Sequence, residues 1–271
     1  MTAFSQPGAG RSISMHLGLS MREVAVPGSE LTGVDGIAPA APHLRGPAGN
    51  VSNGVLVTLL DSVGGLAAGL AVLPDWVVST NLMMTTARFD HVGPLRVTGR
   101  TLRAGRKAVV TSVQITDDGR DGVIVADGVL TSAVLTPEGG PPAYGRPLVL
   151  DAPAPDPGAA PTLNEFFGFA PRDAQSIVMP LADHLRNPWG ILHGGAIAVL
   201  VETAAEHVGA SGRRAADVVL HFLAPGRIGP VVGRATPIGA RGDGEVVEVA
   251  VHDLGADDRL MAVAVVTLRS T

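Results

Sequence analysis

Two stretches of this chain repeat one another 141 residues apart: Ala41-Pro42-His43-Leu44-Arg45-Gly46-Pro47-Ala48-Gly49 and Ala182-Asp183-His184-Leu185-Arg186-Asn187-Pro188-Trp189-Gly190. The same spacing sets Ser52-Asn53-Gly54 against His193-Gly194-Gly195, and Asp61 against Glu202. An acid at one place inside two apolar segments favours internal duplication over chance agreement. With two copies the chain is a tandem rather than a solenoid.

Each copy reads as one long apolar helix followed by a meander. Helices are expected near 53–73 and 194–209. Strands are expected over 76–84, 95–102, 108–115 and 123–135, and again over 218–223, 231–236, 245–251 and 260–268. Gly93-Pro94 and Gly229-Pro230 punctuate one turn in both copies, and Asp117-Asp118-Gly119 and Asp253-Leu254-Gly255 mark a later hairpin. Val55, Leu56, Val57, Leu59, Leu60, Val63 and Leu66 leave the first helix apolar on almost every face, so it is expected to be buried. The pattern predicts an α+β fold in which a curved antiparallel sheet wraps a central helix, twice. Eight prolines between 137 and 161 divide the copies. The expected organisation is a loosely ordered arm over 1–30, a first domain over 31–136, a linker over 137–162 and a second domain over 163–271.

Composition narrows the function. A formal charge of −5 and 3% aromatic residues give neither a basic field nor stacking platforms, so nucleic acid is not an expected partner. The absence of cysteine excludes disulfides, thiol catalysis and thiolate metal sites, and fits a reducing compartment. Residues 1–20 hold no apolar core of a signal peptide, and no stretch reaches eighteen uninterrupted apolar residues. The expectation is a soluble cytoplasmic protein of 271 residues without a membrane partner.

The chemistry-bearing stretch is Asn187 to Gly195, which runs into the second helix. Two glycines at a helix start remove side chains from a place where backbone N–H groups lack intrahelical acceptors and carry the positive end of the helix dipole. That arrangement suits a developing oxyanion. Glu202 lies two turns further along an otherwise apolar helix, where an acid is costly unless paired or used. No Gly-x-Ser-x-Gly elbow, phosphate loop, zinc helix motif or dinucleotide fingerprint is present, so neither a metal nor a cofactor is expected.

The Asn-x5-His-Gly-Gly loop with an acid nine residues past the histidine resembles the hotdog-fold acyl-CoA thioesterases, specifically the PaaI-like branch, here with two hotdogs fused in one chain. The resemblance covers about 35–135 and 165–270. It implies a site built from both copies: Asn187, His193 and Gly194 from the second copy, and Asp61 and Ser79 from the first. Asp61 would activate water or attack directly, Gly194 would polarise the carbonyl, and Ser79 or Thr80 would hold the water. Thr80 and Gly195 would contact substrate. It also implies a degenerate second site with Glu202, Asn53 and Gly54, where glycine replaces the loop asparagine, serine the histidine and Ala215 the strand hydroxyl. The expected reaction is acyl-CoA hydrolysis, with coenzyme A entering only as part of the substrate, in a homodimer. The alternative is a non-catalytic acyl-CoA sensor or carrier. A hydratase would need an Asp-x4-His pairing that the chain lacks. Arg88, Arg103, Arg106, Lys107, Arg213 and Arg214 are candidates for meeting the phosphates of coenzyme A.

Overall fold

The computed structural model describes residues 12–28, 31–46, 49–136, 146–156, 158–242 and 244–270. The first repeat runs α1 (Ile13–Leu17), β1 (Ser20–Ala25), β2 (Thr32–Ala38), α2 (Asn53–Leu70), β3 (Trp76–Thr86), β4 (Leu95–Ala104), β5 (Ala108–Asp117) and β6 (Val123–Leu135), followed by the two-residue strand β7 (Val149–Leu150). The second runs α3 (Leu163–Phe167), β8 (Ala170–Asp173), β9 (Ser176–Met179), α4 (Gly194–Val208), β10 (Arg213–Phe222), β11 (Val231–Arg241), β12 (Gly244–Asp253) and β13 (Arg259–Ser270). Each repeat is a hotdog, and the pair forms the fused double hotdog that the sequence implies.

All strands join one antiparallel sheet in the order β7-β1-β2-β4-β5-β6-β3-β10-β13-β12-β11-β9-β8. The repeats meet where β3 pairs with β10, Asn81 opposite His221 and Thr85 opposite Asp217, so a pseudo-twofold axis passes close to Met83 and Val219. Alternation of buried and part-exposed residues along β5 turns one side of the sheet to the helices. On that side α2 and α4 pack against their own strands and against each other. In α2 only Ser62 and Gly65 escape full burial. This helix is long and apolar enough to cross a bilayer, but 89% of it is buried inside the protein, which makes it a core helix.

The close approach of α2 and α4 explains a glycine in each. A Cβ on Gly195 would lie 2.2 Å from the Thr58 methyl, and one on Gly54 would lie 2.7 Å from the Val199 Cα. The Thr58 hydroxyl, 2.6 Å from the Gly54 carbonyl and 3.1 Å from that of Gly195, ties the two helices together. Both turns marked by Gly-Pro are held by a buried aspartate from the later hairpin. Asp117 accepts the N–H groups of Val92 and Gly93, and Asp253 those of Arg227, Ile228 and Gly229.

The stretch read as a loose arm over 1–30 is structured from residue 12 to residue 25, while 1–11 lie outside the described residues. Ser12 caps α1 by accepting the Met15 N–H, Gly18 ends it at a φ of 61°, and Leu17 and Leu19 are buried. β1 then pairs with β2 along its full length. The five residues of α1 are too few for a helical period, and SMREVA in β1 does not alternate apolar with polar residues. The expected linker is likewise partly absorbed: β7 adds an edge to β1 and Leu148 enters the core, while 137–145 lie outside the described residues.

Candidate active site

Asp61 lies near the middle of α2 with its carboxylate 8% exposed. One oxygen, Oδ1, accepts the hydroxyl of Ser79 from β3 at 2.6 Å. The other faces the second repeat: a Cβ on Gly194 would sit 2.6 Å from Oδ2, so any residue but glycine at the start of α4 would collide with the acid. As the first residue of α4, Gly194 presents a backbone N–H without an acceptor among the described residues. His193 Nδ1 lies 4.0 Å from Oδ2. That nitrogen accepts the Gly195 N–H at 2.9 Å and therefore carries no proton. Burial lowers the His193 pKa below its usual 6.5, outweighing the pull of the Asp61 charge, so the ring is neutral at pH 7 and serves as the N-cap of α4. The Phe222 ring closes the far side of Gly194.

Thus Asp61, Ser79, His193 and Gly194, chosen from sequence, come together across the junction of the repeats. Three other residues take different places. Asn187 makes no hydrogen bond to Asp61, Ser79 or His193; its Oδ1 accepts the N–H groups of Trp189 at 3.0 Å and Ile191 at 3.3 Å and so shapes its own loop. Thr80 is the extra residue of a bulge between Ser79 and Asn81, and its hydroxyl donates to the Thr131 carbonyl. That same bulge aims Ser79 inward. Gly195, expected against substrate, is instead covered by Thr58.

The equivalent site of opposite hand is filled by protein. Glu202 occupies the place of Asp61 with one methylene more. Its Oε1 accepts the Asn53 N–H at 2.6 Å and its Oε2 the Ser52 hydroxyl. The Asn53 N–H corresponds by the 141-residue spacing to that of Gly194, so the longer acid occupies the donor that the shorter one leaves open. The Asn53 carboxamide fills the space that glycine leaves at the first site, with Oδ1 accepting from Thr86 at 2.5 Å and Nδ2 donating to Ala216. Gly54 lies under Val199 and Glu202. One turn beyond Glu202 stands Glu206, which accepts the Ala215 N–H and pairs with Arg214 at 3.6 Å. Burial, followed by the charge of Glu202, pushes the Glu206 pKa up to about 8; burial also raises that of Glu202 against the donors around it. Sequence reading missed Glu206, Thr58 and Phe222, although the repeat spacing already sets Glu206 against Gly65.

The basic candidates divide. Arg88 pairs with Asp90 and Arg213 with Glu245, whereas Arg103, Arg106 and Lys107 lie exposed at the tip of the β4–β5 hairpin. Among the described residues no cluster of three or more His, Asp or Glu forms a metal site.

A family model described as thioesterase superfamily matches residues 48–124, which hold α2, β3, β4, β5 and therefore Asp61 and Ser79. No curated protein sequence matches the chain. The fold is similar to that of the 12:0-ACP thioesterase from Umbellularia californica, at 11% identity over 94% of this chain and 95% of that one, with a TM-score of 0.61. It is similar to an acyl-ACP thioesterase from Bacteroides thetaiotaomicron, at 14% identity over 87% and 97% with a TM-score of 0.55. It is also similar to a conserved protein of unknown function with a hot dog fold from Alicyclobacillus acidocaldarius, at 13% identity over 95% and 97% with a TM-score of 0.58. The chain is thus a tandem hotdog protein whose first repeat carries the thioesterase superfamily pattern.

Proposed function

We propose that this protein hydrolyses the thioester of an acyl-CoA to the free acid and coenzyme A, at one site on the junction of its repeats. The observation that carries this reading is a buried acid with one oxygen fixed by Ser79 and the other turned toward an unspent helix N-terminal N–H from the other repeat. A thioester carbonyl that accepts the Gly194 N–H presents its carbon to a water beside Asp61. Asp61 takes a proton from that water as its oxygen bonds to the carbon, and the N–H stabilises the oxyanion. Collapse breaks the carbon–sulfur bond, and the departing thiolate takes up the proton. Neutral His193 holds Gly194 and Gly195 in place, and Asn187 shapes the loop behind them. Beyond the coenzyme A of the substrate the reaction needs no cofactor.

Two of the similar structures are named for acyl carrier protein, which presents the same type of thioester, so both carriers belong in the test. Free thiol released from acyl-CoA and acyl-ACP panels, and lost in Asp61→Asn, is the expected result. Tight binding without turnover by the folded protein would replace this reading with that of an acyl-CoA sensor or carrier. The lack of cysteine supports a cytoplasmic setting. The exposed outer face at the junction, with Met83 and Val265, supports a homodimer, which light scattering would check.

A further inference from the structure

The face of α2 that bears Asp61 continues through Gly65 and Gly69, one and two turns further on. A Cβ placed on Gly65 meets nothing within 4 Å, and with Ser62 it is the part of α2 that protein does not bury. Ser62 turns its hydroxyl back to the Thr58 carbonyl at 2.8 Å, which leaves this floor apolar in effect. The open run ends abruptly. Over Gly69 lies the indole of Trp76, whose ring atoms stand 3.0–3.3 Å from where a Cβ would be. Trp189, from the loop that leads to His193, meets Trp76 with ring centroids 6.1 Å apart. The open run therefore starts one turn from Asp61, at Gly65, and stops at two tryptophans, one from each repeat. At the opposite site the same path is blocked at once, because Glu206 stands in the place of Gly65 and is paired with Arg214.

We propose that this open run is the floor of a cleft that receives the acyl chain of the substrate, and that Trp76, backed by Trp189, fixes the longest chain accepted. The inference rests on the thioesterase reading and extends it to substrate class. Eight helical residues from Asp61 to Gly69 span about 12 Å, and the indole takes the last part of that length, so a straight chain of roughly eight carbons fills the cleft. Longer chains must displace an aromatic pair, and shorter ones leave apolar surface uncovered.

The test is a series of straight-chain acyl-CoA substrates from two to sixteen carbons, assayed by thiol release and, in parallel, as non-hydrolysable thioether analogues assayed by calorimetry. In the unaltered protein kcat/KM is expected to climb to about eight carbons and then to fall about tenfold by twelve, the usual scale of discrimination by an apolar pocket. Trp76→Ala should move the optimum toward longer chains, and Trp76→Phe should move it less in the same direction. Gly65→Leu puts a side chain into the open run and should cost an octanoyl substrate about tenfold more than an acetyl one. Melting curves identify any variant that fails to fold; the remaining two then carry the result. An unchanged optimum in folded Trp76 variants, or equal losses for all chain lengths in Gly65→Leu, overturns the proposal while leaving hydrolysis intact. If no substrate is turned over, the thioesterase reading fails instead. The thioether affinities then decide alone: the same dependence on length sustains the cleft, and length-independent binding removes it.

Discussion

The two halves of this molecule hold the same parts around two acids, and the parts do different things. At Asp61 a short side chain stops short of the opposing helix, and glycine at 194 and glycine at 65 keep the space before and behind it clear. At Glu202 a longer side chain crosses the same gap and takes the Asn53 N–H, while Asn53 and Glu206 fill the spaces that glycine leaves at the first site. On the proposed reading, the difference teaches that an open helix N-terminal donor is lost by completion as readily as by deletion. At the second site the Asn53 N–H and the Ser52 hydroxyl both have acceptors in Glu202, so neither remains for a substrate.

The sharpest way to break the comparison is to neutralise the open acid. Asp61→Asn is expected to lower kcat by roughly 10²–10⁴-fold with the melting temperature retained. Steady-state thiol release on folded protein checks this, and a loss confined to Glu202→Gln would reverse the assignment of the sites. Ser79→Ala, which frees one carboxylate oxygen, is expected to lower kcat by about tenfold, in line with a hydrogen bond to a charged group. Ala215→Ser, the corresponding change at the filled site, should leave turnover unaltered.

A third prediction uses pH. The folded-state pKa of Glu206 is raised by burial, followed by the charge of Glu202, to about 8 from 4.5. A group raised in this way contributes stability that is fully present below the unfolded value and is lost as pH rises through the folded one. The melting temperature should therefore fall between about pH 4.5 and pH 8. Glu206→Gln, which cannot ionise, should flatten that slope, and thermal melts across the range will read it. Among the changes to acids, the smallest expected effect on catalysis is that of Glu202→Gln, less than about twofold in kcat/KM. Its cost appears in stability instead, about 1–3 kcal/mol for disturbing a buried acceptor with two donors, measured by urea titration.

Much of this was legible in the sequence because the repeat supplied an internal control. The 141-residue spacing located both helices, both acids and the glycine-rich loop, and the chosen Asp61, Ser79, His193 and Gly194 meet in space. What escaped depends on contacts between copies. Gly195 reads like a ligand-facing glycine until Thr58 is seen against it, and Asn187 like a polar ligand until its oxygen is seen to hold its own loop. The threonine after Ser79 read as its equal, yet a bulge turns the two hydroxyls to different partners. α1 and β1 were invisible because their order comes from pairing with β2 and burial of Leu17 and Leu19, which a short segment does not announce.

The ladder between β3 and β10 also sets a scale of error for catalysis. Asp61 and Ser79 belong to one side of that seam and Gly194 to the other, and the pairing of Asn81 with His221 fixes their relative position. Strand pairing shifts only in whole residues. A slip of one would turn the faces of the seam over, and a slip of two would carry the halves apart by about 7 Å, more than twice a hydrogen-bond length. Small strain therefore does not change the pairing of this seam by a fraction of a residue. Like a ratchet wheel with coarse teeth, the seam offers Asp61 and Gly194 one register or another and nothing between.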